Sequence, residues 1–324
     1  MSATAQRPWP DFVRVFAVAG GAALIAGAVA TIAVDPYWVF RHSPLWVAWT
    51  GGVNRLLDVD MRRAKPLQLF TRPAETVLVG SSTVYRGINP ADLGGSGGYN
   101  FGVSSLMADE LPAVAALLAA RRVGRIAIGL DYFMFTSFPG PPRLEQGLEA
   151  RAARLEAWAK AALSLRALAG IIPPVLASAY EPGAWRFDGH KATPDYAAAV
   201  TERIAREQMF GTMRYRPQTL AYLEAALKRL GGADVRLYLS PMSRPQRALA
   251  SAAGRDREIT QWRADVAAAA QRLGVPLRDL VDQHPFDDFD PARGSSRFWL
   301  DNSHFKPEVG RWIMNELGLP VKPM

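Results

Sequence analysis

Two short polar segments, far apart in the chain, carry residue types that suit nucleophilic catalysis by a serine. The first covers residues 80–83 (GSST) and directly follows the apolar run 75–80 (ETVLVG). The second covers residues 301–305 (DNSHF), near the C-terminus. A serine nucleophile needs an imidazole base, and a carboxylate on the other ring nitrogen fixes the tautomer of that base. We therefore expect Asp301 to orient His304 and leave its Nε2 facing a serine.

Each segment also has a purely structural interpretation. Serine and threonine are good N-caps, so GSST alone predicts no more than the start of a helix. An Asp-x-x-His segment alone is equally compatible with a polar loop that enters a helix. The combination is informative only if the fold brings Ser82 and His304 together.

The apolar pattern predicts the elements that would do so. Short apolar runs typical of buried strands occur at residues 75–80, 99–102, 125–133, 235–239 and 275–281. Helical spacing occurs at residues 106–122, 220–230 and 258–273, and a final helix is predicted near Pro307. This alternation predicts an α/β fold of three layers, α/β/α, with a central parallel sheet. Ligands bind beyond the carboxyl ends of such strands, where both polar segments fall.

Two regions interrupt the alternation. Residues 137–216 are too long for a simple connection, and we interpret them as a helical insertion in a domain that spans residues 74–320. Residues 35–73 are rich in Trp, Pro and Arg and are expected to form a membrane-proximal connector that packs onto the domain.

An apolar segment precedes the connector. Residues 15–34 contain no charge, and a helix of this length reaches about 30 Å, the thickness of the hydrocarbon core. We interpret it as a retained single-pass anchor. The alternatives are a signal peptide cleaved after residues 28–30 (AVA) and a buried core helix. Because Arg7 and Arg14 precede the segment, residues 1–14 are expected in the cytoplasm and the domain outside the inner (cytoplasmic) membrane, in the periplasm or its equivalent.

Composition excludes several classes of function. The chain has 324 residues and no cysteine, so it has no disulfide, thiolate metal site or cysteine nucleophile. Its net charge is +8. The basic residues form no long run and no stripe interleaved with aromatic residues, which argues against a nucleic-acid partner.

At four places the sequence resembles the SGNH (GDSL-like) hydrolase superfamily. The matching residues are 80–82 (GSS), 100–102 (NFG), 129–131 (GLD) and 301–304 (DNSH), in the order of the family's blocks. The resemblance covers residues 74–318 apart from the insertion. Within the superfamily the chain looks most like membrane-anchored bacterial members that acylate exopolysaccharides or cell-wall polymers.

The resemblance implies a function and a set of roles. Ser82 would be the nucleophile, His304 the base and Asp301 its orienting carboxylate, with the backbone N–H groups of Ser82 and Gly102 in the oxyanion hole. An acyl group, expected to be acetyl, would pass through Ser82 to a hydroxyl of a surface polysaccharide. A polytopic membrane O-acyltransferase would supply it, and no cofactor is expected. The alternatives are an esterase with the same triad and a non-catalytic scaffold of a polysaccharide synthesis or export complex.

The sequence departs from the family pattern at two positions. Ser81 replaces the usual aspartate and is a rival nucleophile. Asp131 stands where many hydrolases have asparagine. An ionised carboxylate has no proton to donate to an oxyanion, so Asp131 contributes there only if protonated. Otherwise it is turned away, paired (Arg86 is the suggested partner), or caps the strand end.

Other polar residues are weaker candidates. Trp185, Asp188 and His190 in the insertion are candidates for contact with a sugar, together with Arg86, although a structural role is the preferred interpretation of the insertion residues. Three aspartates follow His284, namely Asp287, Asp288 and Asp290. A turn explains that cluster better than a cation, and no metal site is predicted.

Overall fold

The structure, a computed structural model, describes residues 9–40, 57–95, 97–141, 143–170, 185–191, 210–287 and 296–323. Several predictions lie partly outside these ranges. They concern the start of the N-terminal tail, part of the connector, much of the second half of the insertion, and the aspartates at positions 288 and 290.

Five parallel strands form one sheet in the order β2-β1-β3-β4-β5. The strands are Thr76–Val79 (β1), Gly98–Asn100 (β2), Arg125–Leu130 (β3), Asp234–Leu239 (β4) and Leu277–Asp279 (β5). Each lies on a run predicted as a strand. The chain passes from β1 outward to β2 and then crosses back to β3. The sheet therefore has a topological switch point between β1 and β3, where ligands bind in open α/β sheets.

Ten α-helices lie in the described part of the chain. They are Trp9–Val34 (α1), Leu57–Thr71 (α2), Ser82–Gly87 (α3), Leu111–Arg121 (α4), Arg151–Ala162 (α5), Leu165–Ala169 (α6), Leu220–Arg229 (α7), Arg244–Ala252 (α8), Asp256–Arg272 (α9) and Pro307–Glu316 (α10). Short 3₁₀ turns occur at Pro90–Asp92, Ala108–Glu110, Tyr132–Phe135 and Pro217–Thr219. The α/β prediction is confirmed, but α2 and α8 were not predicted. The predicted helical insertion contains two described helices, α5 and α6, and Ser164 between them is the N-cap of α6.

Both faces of the sheet are covered, as the three-layer prediction requires. Alternate strand residues enter two separate apolar clusters, since successive side chains of a strand point to opposite faces. Val77 and Val79 of β1 belong to the larger cluster, with α4, α7 and α9. Leu78 belongs to the smaller one, with α3 and α10.

Helix α1 is 26 residues long, about 39 Å, with a mean hydropathy of 2.2 over its most apolar window. By length and composition it can cross a membrane. Its large apolar side chains are exposed, including Phe16 and Leu24. The alternative of a buried core helix is therefore wrong for this structure.

The chain turns sharply where α1 ends. Asp35 has a positive φ of 45° and is fully buried. Its carboxylate accepts the backbone N–H groups of Val39 (2.8 Å) and Phe40 (2.9 Å). The side chains from Tyr37 to Val39 are buried in the larger cluster. The described part of the segment 35–73 therefore contributes side chains to the core of the domain.

Candidate active site

Ser82 occupies the turn between β1 and α3. It is the first residue of α3, and Ser81 is the N-cap, with its Oγ accepting from the backbone N–H of Thr83. Gly80 precedes the cap, and a Cβ there would lie 3.0 Å from the carbonyl oxygen of Gly129. The close approach of the β1 and β3 backbones therefore requires glycine at position 80. This turn places Ser82 at the switch point of the sheet.

The loop before α10 supplies the base and its partner. Asp301 Oδ1 accepts the backbone N–H groups of Ser303 and His304, both at 2.7 Å, which folds the loop back on itself. Asp301 Oδ2 is 2.7 Å from His304 Nδ1. On the other side of the ring, His304 Nε2 is 2.8 Å from Ser82 Oγ. Residues 82 and 304, which are 222 positions apart, thus form the hydrogen-bonded chain expected of a catalytic triad.

The carboxylate and the imidazole of the triad differ in burial. Asp301 is fully buried, whereas the His304 side chain is 20% exposed. Burial alone would raise the pKa of Asp301. The charge and hydrogen bond of His304, with the two backbone donors, outweigh burial and hold that pKa below its usual range. Asp301 is thus an ionised acceptor that stabilises the protonated imidazole.

A close helix contact brings the two halves of the site together. Gly310 of α10 packs against Gly87 at the end of α3, and a Cβ on Gly310 would lie 2.8 Å from the carbonyl carbon of Gly87. A Cβ on Gly87 would lie equally close to the carbonyl oxygen of Phe305. Only glycine at both positions permits this approach, which sets the distance between Ser82 and His304.

Comparison of the sequence with family models and with curated proteins finds no match. The resemblance to SGNH hydrolases therefore stays a prediction. The arrangement of Ser82, His304 and Asp301 is a geometric observation that does not depend on it.

Ser81 is not placed as a nucleophile. It is fully buried, and its Oγ donates to Asp131 Oδ2 in a short hydrogen bond. Thr83 Oγ1 lies 3.2 Å from the same oxygen. Asp131 therefore accepts hydrogen bonds from hydroxyls beside Ser82. The suggested partner was Arg86. Burial raises the pKa of Asp131, opposed by the hydroxyls of Ser81, Ser240 and Thr83 and by the charge of His304.

The backbone N–H of Gly102, predicted as an oxyanion donor, has an acceptor within the protein. Its backbone N–H donates to Asn100 Oδ1 at 2.9 Å, so an oxyanion would have to displace that side chain. Asn100 Nδ2 in turn donates to the carbonyl oxygens of Val84 and Ile88. Asn100 thus ties the segment after β2 to α3. Of the two predicted oxyanion donors, Gly102 is the one whose N–H the Asn100 side chain occupies, and Ser82 is the other.

Sequence reasoning missed a strained turn beside Ser82. Ser105 lines the cavity at the nucleophile and has a positive φ of 49°, which is uncommon outside glycine. The guanidinium of Arg62 donates to the carbonyl oxygens of Ser104 (2.6 Å) and Ser105 (3.0 Å) and pairs with the buried Glu110. No local sequence signal links these residues, because Arg62 lies on α2, in the segment expected to be an irregular connector.

The insertion residues proposed for sugar contact have structural roles instead. Trp185 is 1% exposed and packs on Tyr85 with ring centroids 4.9 Å apart. His190 is also buried, and its Nε2 is 3.1 Å from the carbonyl oxygen of Arg86. Asp188 Oδ1 accepts the His190 N–H. None of these residues lines the cavity at Ser82, and neither does Arg86. The structural role, which was the preferred interpretation of Trp185 and His190, agrees with their burial, and sugar contact by these residues stays an untested prediction.

The aspartate cluster shows no metal geometry where the structure describes it. Asp287 pairs with Arg247 at 3.0 Å, and His284 Nε2 is 3.0 Å from the carbonyl oxygen of Met242. Among the described residues no group of three or more acidic or histidine side chains could hold an ion.

Proposed function

We propose that this chain is a membrane-anchored serine acyltransferase of the SGNH type, with Ser82 as the residue that carries the acyl group. One observation supports the proposal above all others. Ser82 Oγ, His304 and Asp301 are linked in that order by hydrogen bonds of 2.8 and 2.7 Å, at the switch point of a parallel sheet.

The proposed reaction has two steps, acylation of Ser82 and transfer of the acyl group to the acceptor. His304 Nε2 accepts the proton of Ser82 as Oγ bonds to the carbonyl carbon of the acyl donor. The bond from that carbon to the leaving group then breaks, and the leaving group takes the proton from His304. An acceptor hydroxyl next gives its proton to His304, attacks the acyl-Ser82 ester and releases Ser82, which recovers the proton. Asp301 stays ionised throughout and stabilises the imidazolium.

The acceptor and partners follow from the resemblance. The acceptor is a hydroxyl of a surface polysaccharide, and a polytopic membrane O-acyltransferase delivers the acyl group to the outer side of the membrane. In this proposal α1 keeps the N-terminus in the cytoplasm and the domain outside. An esterase would use the same three residues with water as the acceptor.

A serine-directed probe tests the proposal. The full chain in lipid nanodiscs is treated with an alkyl fluorophosphonate, and the labelled residue is identified by mass spectrometry. Labelling of the wild type and of the matched control Ser303→Ala, with none of Ser82→Ala, is expected. Labelling of Ser82→Ala at the wild-type rate would refute the assignment of the nucleophile. Absence of labelling in all three proteins would favour the non-catalytic scaffold.

Partition of the acyl-enzyme separates transfer from hydrolysis. The enzyme is acylated with an activated ester in the presence of increasing polysaccharide, and the products are quantified. A transferase forms the polysaccharide ester at the expense of free acid, whereas an esterase releases only the acid.

A further inference from the structure

A cavity of about 280 Å³ opens beside the triad. Ser82 and His304 lie on its wall together with six other polar residues, namely Thr83, Ser105, Asp131, Ser240, Gln246 and Ser303. Most of the remaining wall is apolar and largely aromatic, formed by Phe133, Phe138, Phe210, Met213, Pro241, Met242 and Trp262.

The size and polarity of the cavity indicate what it binds. Its volume approaches the lower limit of about 300 Å³ for ligand pockets, and the methyl group of an acetyl ester would leave most of it empty. A sugar ring seated against the apolar side chains would leave hydroxyls without hydrogen-bond partners, and burial of unpaired hydroxyls is costly. An alkyl chain has no such requirement.

The apolar wall is already formed. Phe210 and Trp262 are each 1% exposed, and both pack on Tyr132, with ring centroids 6.5 and 5.7 Å away. Phe138 packs edge-on against Phe133. A chain that enters this space therefore gains contact without much rearrangement of the protein.

We propose that Ser82 takes an acyl group longer than acetyl, and that its alkyl tail lies in this cavity. The inference rests on the proposed function, since the tail belongs to the ester formed at Ser82. Each buried methylene should raise kcat/KM about fourfold. From acetyl to hexanoyl the gain is on the order of 10²-fold if all four added methylenes are buried.

The test is a chain-length series. The full chain in nanodiscs is assayed with p-nitrophenyl acetate, butyrate, hexanoate and octanoate, and Ser82 is labelled in parallel with ethyl and hexyl fluorophosphonates. Hexanoate is expected to exceed acetate by one to two orders of magnitude in kcat/KM. Met213→Trp, which fills the cavity, should lower the hexanoate-to-acetate ratio. The volume-conserving Met213→Leu should preserve it.

The outcomes separate the two proposals. Fastest reaction with acetate and ethyl fluorophosphonate, with Ser82 still labelled, overturns the inference about chain length and leaves the triad intact. A hexanoate-to-acetate ratio that is equal in Met213→Trp and in the wild type also overturns it. Loss of all reaction and labelling at Ser82 overturns the proposed function and, with it, the inference.

A second surface is defined by the contact between the insertion and α1. Helices α5 and α6 both pack against α1. Leu168 of α6 lies 3.8 Å from the Cβ position of Gly27. Gly27 is seven residues before the end of α1, which places this contact about 10 Å along the axis from Val34. Because Arg14 is the last charge before the uncharged segment, that depth lies within the apolar span.

The residues around this contact suit a bilayer. Leu165 is 81% exposed, and Leu155, Leu163 and Leu168 are also exposed. Arg151, Lys160 and Arg166 are exposed on the same two helices, where Lys160 pairs with Glu156 and Arg166 pairs with Asp60. Apolar side chains beside basic ones are typical of helices in the membrane interface, where arginine and lysine reach the headgroups.

From this placement we infer that α5 and α6 lie in the outer leaflet beside α1 and insert these leucines among the lipid chains. Because the chain has no cysteine, a single Leu165→Cys labelled with an environment-sensitive fluorophore reports this position directly. In nanodiscs the label should shift to the blue and be quenched by lipids brominated on their acyl chains. The control, Arg257→Cys at an exposed position of α9, should be quenched by iodide instead. Iodide quenching of both labels, without lipid quenching at 165, would overturn the inference.

Discussion

The substitution Asp301→Asn tests the triad more closely than removal of the nucleophile. Asp301 makes three hydrogen bonds, each of 2.7 Å, and in all three it is the acceptor. Asparagine has the same shape but only one acceptor oxygen. If this oxygen keeps the two backbone N–H groups, the amide NH₂ faces His304 Nδ1. That nitrogen must then be the acceptor, which puts the ring proton on Nε2, opposite Ser82 Oγ.

The consequence is a base in the wrong tautomer. An Nε2 that already carries a proton cannot take one from Ser82. The same change in serine proteases lowers kcat by about 10⁴, which corresponds to about 5 kcal/mol of activation free energy. A fall of this size in the acylation rate is expected here, because Asp301 and Ser82 lie on opposite ring nitrogens of His304. The fold should persist, since the side-chain volume is unchanged.

The assay is the rate of Ser82 labelling by a fluorophosphonate, measured by mass spectrometry beside a melting curve. Asp287→Asn is the matched control, because Asp287 is exposed and pairs with Arg247. Its labelling rate should equal that of the wild type. A folded Asp301→Asn protein labelled within tenfold of the wild-type rate would show that Asp301 does not set the tautomer of His304.

Three further predictions concern positions that hold the site. Arg62→Met leaves the buried Glu110 carboxylate without its ion pair and should cost about 3–5 kcal/mol of unfolding free energy, much of which the added change Glu110→Gln should restore. Gly310→Ala should force α10 away from Gly87 and lower stability by about 1–3 kcal/mol. The labelling rate of Ser82 should fall by more than the loss of folded protein explains. Burial raises the pKa of Asp35 from 3.8 to about 7, so the folded state favours its protonated form. This contribution to stability is complete below about pH 4 and is lost as the pH rises to 7, and the total loss is at most about 4 kcal/mol. Asp35→Asn should therefore flatten the pH dependence of Tm.

The sequence predicted those parts of the site that depend on local pattern. Apolar runs locate all five strands, and parallel strands place their carboxyl ends at one edge, which is why Ser82 and Asp301-His304 were expected to converge. Their separation was not predictable, because it depends on the contact between Gly87 and Gly310. Two glycines far apart in the chain give no sign that they touch.

Tertiary packing decides what Trp185 and His190 can reach, because both side chains are buried against α3. Gly102 was expected to have a free N–H, but the side-chain oxygen of Asn100, two residues earlier, accepts it. Asparagine commonly makes this local contact, so the residue type was a signal that sequence reasoning could have used.

Helix α2 connects helix α1 to the candidate site. Gln68 donates to the carbonyl oxygen of Tyr37, just after α1, and accepts from the hydroxyl of Tyr99 on β2, both at 2.7 Å. One turn earlier, the fully buried Lys65 donates to the carbonyl oxygen of Asn100 at 2.9 Å, and Asn100 holds α3. Continuous hydrogen bonds thus lead from the end of α1 to the helix that begins with Ser82. A flexible tether would let Ser82 sample all orientations, whereas this linkage fixes its direction relative to α1, which the proposed transfer from a donor in the same membrane would require.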